Sequence, residues 1–216
     1  MKLNRTSVVL ADDHAMVRES LARVLNESGE ITVLGQASDG LELLKVVRQE
    51  QPECVVLDYS MPKLDAPHAI EKLLAEHKSL KILVLTVHEN VHYAVRVLET
   101  GAHGYMIKSA AVDELVEAIR TVSQGDVYIS PKVSAEVWSR MRRPKRDREG
   151  IETLSQREFD ALQILSSGAS LQECASRMKV STSTVSTYRS RILDKLNLAT
   201  TAELIRFAME NDLTDQ

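Results

Sequence analysis

The chain has 216 residues, a net charge of -4 and 44% hydrophobic residues, which is enough apolar material for the cores of one or two globular domains. No apolar run approaches the roughly 20 residues of a membrane-spanning helix, and the only two cysteines, Cys54 and Cys174, are far apart in sequence. These features exclude a membrane-spanning protein and a disulfide-rich scaffold, and they predict a cytoplasmic protein with buried free thiols.

Residues 1–125 alternate short apolar runs with amphipathic stretches. The runs at 7–11, 31–35, 55–58, 81–86 and 104–107 predict five strands, and apolar residues at helical spacing follow each run. Five strand–helix repeats predict a parallel sheet with helices on both faces and right-handed crossovers.

Polar residues stand where each of four predicted strands ends. Asp12 and Asp13 follow the first strand, Asp58 ends the third, Thr86 ends the fourth and Lys108 follows the fifth. Each has an ordinary alternative as a turn former, a helix cap or a solvated lysine. Because the carboxyl ends of parallel strands meet at one edge of the sheet, we expect these side chains to converge there.

Three converging carboxylates repel one another unless a cation lies among them. Carboxylate oxygens suit Mg²⁺, and a carboxylate can also attack phosphorus as a nucleophile. The Lys108 ammonium can neutralise a phosphoryl group, and the Thr86 hydroxyl can hydrogen-bond to it. The residues alone therefore predict a magnesium-assisted phosphoryl site centred on Asp58.

Residues 124–150 predict a linker. Ser130 followed by Pro131 is typical of a helix start, and a short helix is expected there. The basic run at 140–150 contains proline and glycine, which favours a solvated flexible tether. An alternative role for its cations is contact with a DNA backbone.

Four helices are predicted after the linker, and the middle two have helix-turn-helix spacing. Their start signals are Ser155 with Glu158, Ser170 with Glu173, Ser181, and Thr200 with Glu203. The residues after 125 are nearly balanced in charge, so a single copy should bind DNA weakly.

The second helix of this pair is predicted to enter a DNA major groove. Its apolar residues define a buried side, and small hydroxyls with arginines define the other side. Arginines can reach phosphates or guanine, and hydroxyls can reach phosphates or base edges. An ordinary solvated helix face is the alternative. The candidate DNA contacts are Thr182, Ser183, Thr184, Ser186, Thr187, Arg189, Ser190, Arg191 and Lys195.

Taken together, these motifs resemble those of a known family. Asp12-Asp13, Asp58 followed by Met61-Pro62, Thr86, and the run at 101–105 leading to Lys108 are similar to the receiver domain of two-component response regulators, over residues 6–123. The runs at 154–158 and 181–192 resemble the LuxR-type DNA-binding domain, over residues 151–213. With the linker at 124–150 between them, the chain resembles a NarL/FixJ-type response regulator.

The resemblance implies a flavodoxin-like five-stranded α/β receiver followed by an all-α four-helix domain. It implies that Asp58 accepts a phosphoryl group from a sensor histidine kinase, and that the active protein is a homodimer on promoter double-stranded DNA, not an enzyme or a membrane protein. It assigns Mg²⁺ to Asp13, Asp58 and the main-chain carbonyl of Ser60, with Asp12 helping through water. Thr86 and Tyr105 would be the switch pair.

The sequence departs from the family pattern at three positions. Lys63 and Ala66 stand where many relatives have glycine, and Ser186 stands where many have lysine. Lys63 and Ala66 crowd the loop beside Asp58. An alternative therefore stays open, in which the protein regulates transcription independently of phosphorylation and its receiver is a protein-interaction module. A phosphatase with an Asp nucleophile is disfavoured, because such enzymes carry Asp-x-Asp and Asp58 is followed by Tyr59-Ser60.

Overall fold

The protein is represented by a computed structural model that describes residues 5–109 and 112–213. The chain divides into two compact units, Met1–Arg140 and Met141–Gln216. In the described part of the chain, none of the helices combines the length and apolar character that a membrane crossing requires.

The first unit alternates strands and helices along the chain. Its strands are β1 (Thr6–Ala11), β2 (Ile31–Ala37), β3 (Cys54–Asp58), β4 (Lys81–Thr86), β5 (Gly104–Ile107) and β6 (Tyr128–Ile129). Its helices are α1 (Ala15–Glu27), α2 (Gly40–Glu50), α3 (Ala66–Glu76), α4 (Val91–Thr100), α5 (Val112–Ser123) and α6 (Pro131–Met141).

The strands form one parallel sheet in the order β2-β1-β3-β4-β5-β6. This confirms the parallel, doubly wound architecture, but the prediction of five strands was wrong because the described residues form a sheet of six. The sixth strand, β6, contains only two residues, which is too short to give an alternating or apolar sequence signal.

The central strands β1, β3, β4 and β5 are largely buried because helices cover the sheet. On one face, Leu25 of α1 and Ile119 of α5 pack in a cluster with Leu10, Val56 and Leu83 from three central strands. All five side chains are at most 2% exposed. Such continuous burial explains why the central strands read as unbroken apolar runs.

The residues just after α5 are joined to β5. Tyr128 and Ile129 pair with Gly104 and Tyr105, and the Ser130 amide donates to the Tyr105 carbonyl at 2.9 Å. The Ile107 amide donates to the Ser130 hydroxyl at 3.1 Å. Strand β6 and most of helix α6, which the sequence analysis placed in a linker, therefore group with the first unit.

In the described residues of the second unit, up to residue 213, there are two short 3-10 turns (Lys145–Asp147 and Gly150–Thr153) and four α-helices. The helices are α7 (Gln156–Ser166), α8 (Leu171–Met178), α9 (Thr182–Leu196) and α10 (Thr201–Glu210). Reciprocal capping boxes begin α7, α8 and α10, and the Ser181 hydroxyl accepts from the Thr184 amide at the start of α9. All four predicted helix starts are confirmed.

Candidate functional site

The polar residues predicted at the strand ends lie at the carboxyl edge of the sheet. Asp58 is the last residue of β3 and Thr86 the last of β4, while Asp12 and Lys108 come directly after β1 and β5. Asp12, Asp58 and Thr86 are at most 4% exposed. The parallel register of β1, β3, β4 and β5 brings these groups to one side of the sheet.

Lys108 joins two of the carboxylates. Its Nζ lies 2.7 Å from Asp12 Oδ2 and 2.9 Å from Asp58 Oδ2. Burial opposes the charge on Lys108, but its bonds to Asp12 and Asp58 outweigh that effect and raise its pKa. Burial also raises the pKa of Asp58, and the Lys108 ammonium acts against this rise. The site therefore holds a cation firmly against a buried carboxylate.

Asp13 and His14 extend the cluster towards solvent. The His14 ring Nδ1 lies 2.7 Å from Asp13 Oδ1, and the His14 amide donates to Asp12 Oδ1 at 2.8 Å. Possible ligand atoms of Asp12, Asp13, His14 and Asp58 lie within 4.8 Å of one another. This set, dominated by carboxylate oxygens, fits a hard divalent cation such as Mg²⁺. His14 was not among the predicted site residues, although it directly follows the aspartate pair.

Thr86 and Tyr105 meet at the loop after β4. The Thr86 hydroxyl accepts from the His88 amide at 3.0 Å, and the Tyr105 hydroxyl donates to the His88 carbonyl at 2.9 Å. Tyr105 is fully buried, and this burial raises its pKa. Both predicted switch residues therefore hydrogen-bond to the main chain of the same residue, His88.

An aromatic cluster lies beside this loop. The His88 ring stacks on Tyr93 with centroids 4.7 Å apart, and Tyr59 meets both rings edge-on at 5.9 and 4.9 Å. The Ser60 hydroxyl lies 3.3 Å from His88 Nε2. The cluster links the segment after Asp58 to the segment after Thr86. Tyr93 was missed by the sequence analysis because it lies within the apolar pattern of a helix.

Helix α9 presents most of the predicted nucleic-acid contacts on its surface. Val185, Ile192 and Leu196 are buried. Thr184 and Arg189 are half-buried, and the exposed candidates are Thr182, Ser183, Ser186, Thr187, Ser190 and Arg191. The exposed side thus offers hydroxyls and the Arg191 guanidinium, a mixture suited to phosphates and base edges.

Lys195 differs from the other candidates on α9. Its Nζ lies 2.7 Å from Glu158 Oε2 and donates to the Thr153 carbonyl at 2.9 Å. Glu158 is buried, and burial works against its charge, but the bonds from Lys195 and Ser155 lower its pKa. These contacts give Lys195 a structural role between α7 and α9, and a DNA contact by Lys195 stays a prediction.

Comparison with known families matches both units. Residues 8–120 match the response regulator receiver domain, and residues 152–208 match the luxR family of bacterial regulatory proteins.

Individual proteins with similar sequences are regulators by name. The oxygen regulatory protein NreC of Staphylococcus carnosus is 34% identical over 214 residues, covering 96% of this chain and 99% of that protein. The response regulator GacA of Pseudomonas viridiflava is 34% identical over 208 residues, covering 96% and 97%.

A solved structure shares the fold. It is RcsB from Salmonella enterica serovar Typhimurium, bound to promoter rprA in the presence of the phosphomimetic BeF3-, with a TM-score of 0.74 and 23% identity. The match covers 94% of this chain and 98% of that one.

Proposed function

The chain belongs to the NarL/FixJ-type two-component response regulators, which carry a receiver domain and a LuxR-type DNA-binding domain, and from this we propose that phosphorylation of Asp58 controls its binding to DNA. The phosphoryl donor is a phosphohistidine on a sensor histidine kinase, and this chain acts in the cytoplasm. The phosphorylated chain forms a homodimer and binds promoter DNA through the second unit. The protein acts as a regulator and not as an enzyme with an external substrate.

The observation that carries this proposal is the buried Asp58 carboxylate with the Lys108 ammonium 2.9 Å away. An oxygen of Asp58 attacks the phosphorus, and the bond from phosphorus to the imidazole nitrogen of the donor breaks, leaving its electron pair on that nitrogen. Lys108 offsets the negative charge of the phosphoryl oxygens, in a site where burial strengthens that attraction.

The residues suited to hold Mg²⁺ are Asp12, Asp13, Asp58 and the main-chain carbonyl of Ser60. All offer oxygen ligands, which Mg²⁺ prefers. Mg²⁺, when bound, neutralises phosphoryl and carboxylate oxygens that would otherwise repel one another. Asp12 also forms an ion pair with Lys108, so it orients the Lys108 ammonium in addition to being suited to bind Mg²⁺.

The switch rests on the shared contacts of Thr86 and Tyr105 at His88. A phosphoryl group on Asp58 offers new acceptors to the Thr86 hydroxyl, which now accepts from the His88 amide. Drawing Thr86 towards the phosphate removes the hydrogen bond between its hydroxyl and the His88 amide. The loop and the Tyr105 hydroxyl then settle in a new arrangement, which shifts the population towards the dimerising form.

DNA binding rests on the exposed side of α9, which bears Ser183, Ser186, Thr187, Ser190 and Arg191. The balanced charge of the chain after residue 125 supports a requirement for two copies, because phosphate neutralisation supplies most non-specific affinity. RcsB, which shares the fold, is bound to a promoter in the presence of a phosphoryl mimic, and this supports DNA binding by the phosphorylated form.

The first test measures intact mass after incubation with Mg²⁺ and acetyl phosphate. We expect one added phosphoryl group on the parent and none on Asp58→Ala, with Asp126→Ala, an exposed carboxylate elsewhere in the first unit, modified like the parent. Sedimentation with beryllofluoride should show dimers for the parent and Asp126→Ala only. Modification of Asp58→Ala, or no adduct on any folded variant, contradicts the proposal.

A second candidate is favoured by the crowded loop beside Asp58, where Lys63 has a φ of +68°. In this alternative the receiver binds another protein and DNA binding does not depend on phosphorylation. The affinity for a DNA duplex that the parent selects from a random library distinguishes the two candidate functions. Equal affinity of Asp58→Ala and the beryllofluoride-treated parent for that duplex would favour the second candidate.

A further inference from the structure

The loop that follows Asp58 contains an unusual turn centred on Lys63. Lys63 has a φ of +68°, a left-handed conformation that is uncommon outside glycine. The Leu64 amide donates to the Pro62 carbonyl at 2.9 Å, so a hydrogen bond closes around a single residue. Tight turns of this kind with a positive φ are rare and strained, and they persist only where surrounding contacts hold them.

One contact that holds this turn is an ion pair with Asp39. Lys63 Nζ lies 2.5 Å from Asp39 Oδ2. The other oxygen, Asp39 Oδ1, accepts from the Leu41 and Glu42 amides at 2.9 Å each and so caps α2. The Asp39 side chain is only 9% exposed and is already fixed by these bonds. Formation of the ion pair therefore costs conformational entropy only for the Lys63 side chain.

The backbone of the turn also rests directly on α2. A Cβ atom added at Gly40 would lie 2.5 Å from the Leu64 carbonyl oxygen. The turn therefore contacts the start of α2 through its backbone as well as through the Lys63–Asp39 pair.

This turn begins one residue after the predicted magnesium-binding stretch. Only Met61 lies between Ser60 and Pro62, and Met61 is 7% exposed, so it cannot absorb much movement. The Ser60 amide donates to Asp58 Oδ1 at 3.4 Å, which ties the same stretch to the acceptor. A shift of the turn would therefore be passed to the Ser60 carbonyl and to Asp58.

We propose that Lys63 is a positioning residue that, bound to Asp39, fixes the Asp58–Ser60 stretch for Mg²⁺. This inference rests on the proposed function of Asp58. Many relatives have glycine at this position, and a glycine could adopt the turn without strain. Here a lysine adopts it, and its ammonium supplies a contact that a glycine lacks. The Lys63–Asp39 ion pair thus connects the loop to the start of α2, and the affinity for Mg²⁺ depends on this ion pair.

The effect should be local. The Lys63 side chain is 61% exposed, and exposed ion pairs add little to global stability. The informative quantities are therefore the affinity for Mg²⁺, followed by NMR titration with magnesium chloride, and hydrogen exchange of the 59–65 peptide. Neither readout depends on phosphorylation.

The variants are matched to the two partners. Lys63→Ala removes the ammonium, and Asp39→Asn removes the charge while keeping an equally good helix cap. Lys63→Arg keeps a cation and should restore the parent behaviour. Arg48→Ala is the control, because Arg48 forms an exposed ion pair with Glu76 that also joins α2 to α3, with Nε 2.7 Å from Oε2.

We expect Lys63→Ala and Asp39→Asn each to weaken Mg²⁺ binding up to about fivefold, the upper end for one exposed ion pair. The double variant should lose no more affinity for Mg²⁺ than either single variant, because each substitution alone already removes the same Lys63–Asp39 ion pair. Exchange of the 59–65 peptide should quicken in the same variants. Arg48→Ala should match the parent in both measurements.

The proposal is overturned if the parent binds Mg²⁺ and both single variants bind it equally well, or if Arg48→Ala weakens binding as much as they do. Failure of the proposed function looks different. In that case the parent itself shows no saturable binding of Mg²⁺ or no phosphoryl adduct on Asp58.

Discussion

His92, near the start of α4, should make the stability of the first unit depend on pH. Its ring nitrogens lie 3.3 and 3.4 Å from Nη1 of Arg140 on α6, and because a guanidinium only donates, the neutral imidazole accepts. Burial, followed by the charges of Arg140 and Arg96, lowers the pKa of His92 to about 4, and Glu136 acts weakly in the opposite sense.

The direction of the pH dependence follows from whether His92 is protonated first in the folded or in the unfolded chain as the pH falls. In the unfolded chain His92 has an ordinary pKa of about 6.5 and is protonated before the folded form is. Stability is therefore fully present above about pH 6.5, falls as the pH drops towards 4, and levels off below that. The full gap in pKa corresponds to about 3 kcal/mol. Because the ring is only partly buried, we expect solvent screening to reduce this to about 1–2 kcal/mol.

The assay is urea unfolding of the full chain at several pH values, followed by the fluorescence of Trp138. This is the only tryptophan, and it lies on α6 in the first unit. His92→Asn cannot titrate there, and Arg140→Gln removes the second-largest cause of the lowered pKa. The parent should lose stability relative to His92→Asn as the pH falls, with Arg140→Gln between them. Parallel profiles for the parent and His92→Asn would refute the reasoning.

Three further outcomes follow from individual contacts. Gly40→Ala should lower the free energy of unfolding by about 1–3 kcal/mol, since its Cβ would meet the Leu64 carbonyl oxygen at 2.5 Å, and unchanged urea unfolding would contradict this. Lys195→Met leaves the buried Glu158 without its cation and should destabilise the second unit by about 1–3 kcal/mol, read as a lower thermal midpoint in circular dichroism. The buried Cys54 thiol, whose pKa burial raises to about 12, should resist iodoacetamide until the chain unfolds, and rapid alkylation in native buffer would disprove it.

Much of the fold could be predicted because its signals are local. The capping boxes that begin α7, α8 and α10 each lie within four consecutive residues, and the structure forms all three. The central strands were visible as apolar runs because both of their faces are covered. The convergence of Asp12, Asp58 and Lys108 could be foreseen because a parallel sheet brings the ends of its strands to one edge.

The remaining features depend on contacts between distant residues. Strand β6 forms because its two residues pair with β5, not because they have a strand pattern of their own. The turn at Lys63 depends on Asp39, which lies 24 positions earlier. The sequence around Lys195 is typical of a surface cation, because its partner Glu158 lies 37 positions away. Spacing along one element cannot reveal such pairs, since each depends on how separate elements pack.

The pairing of β6 with β5 bears on the design of hybrid regulators. A fusion that joined this sensing module to another output domain directly after Ser123 would remove Tyr128 and Ile129 and leave the hydrogen-bonding groups of β5 open on that side. An open strand edge recruits strands from other molecules, so such a chimera should aggregate. A junction placed after Arg140, where the first compact unit ends, keeps that edge covered and keeps Ser130 bonded to β5.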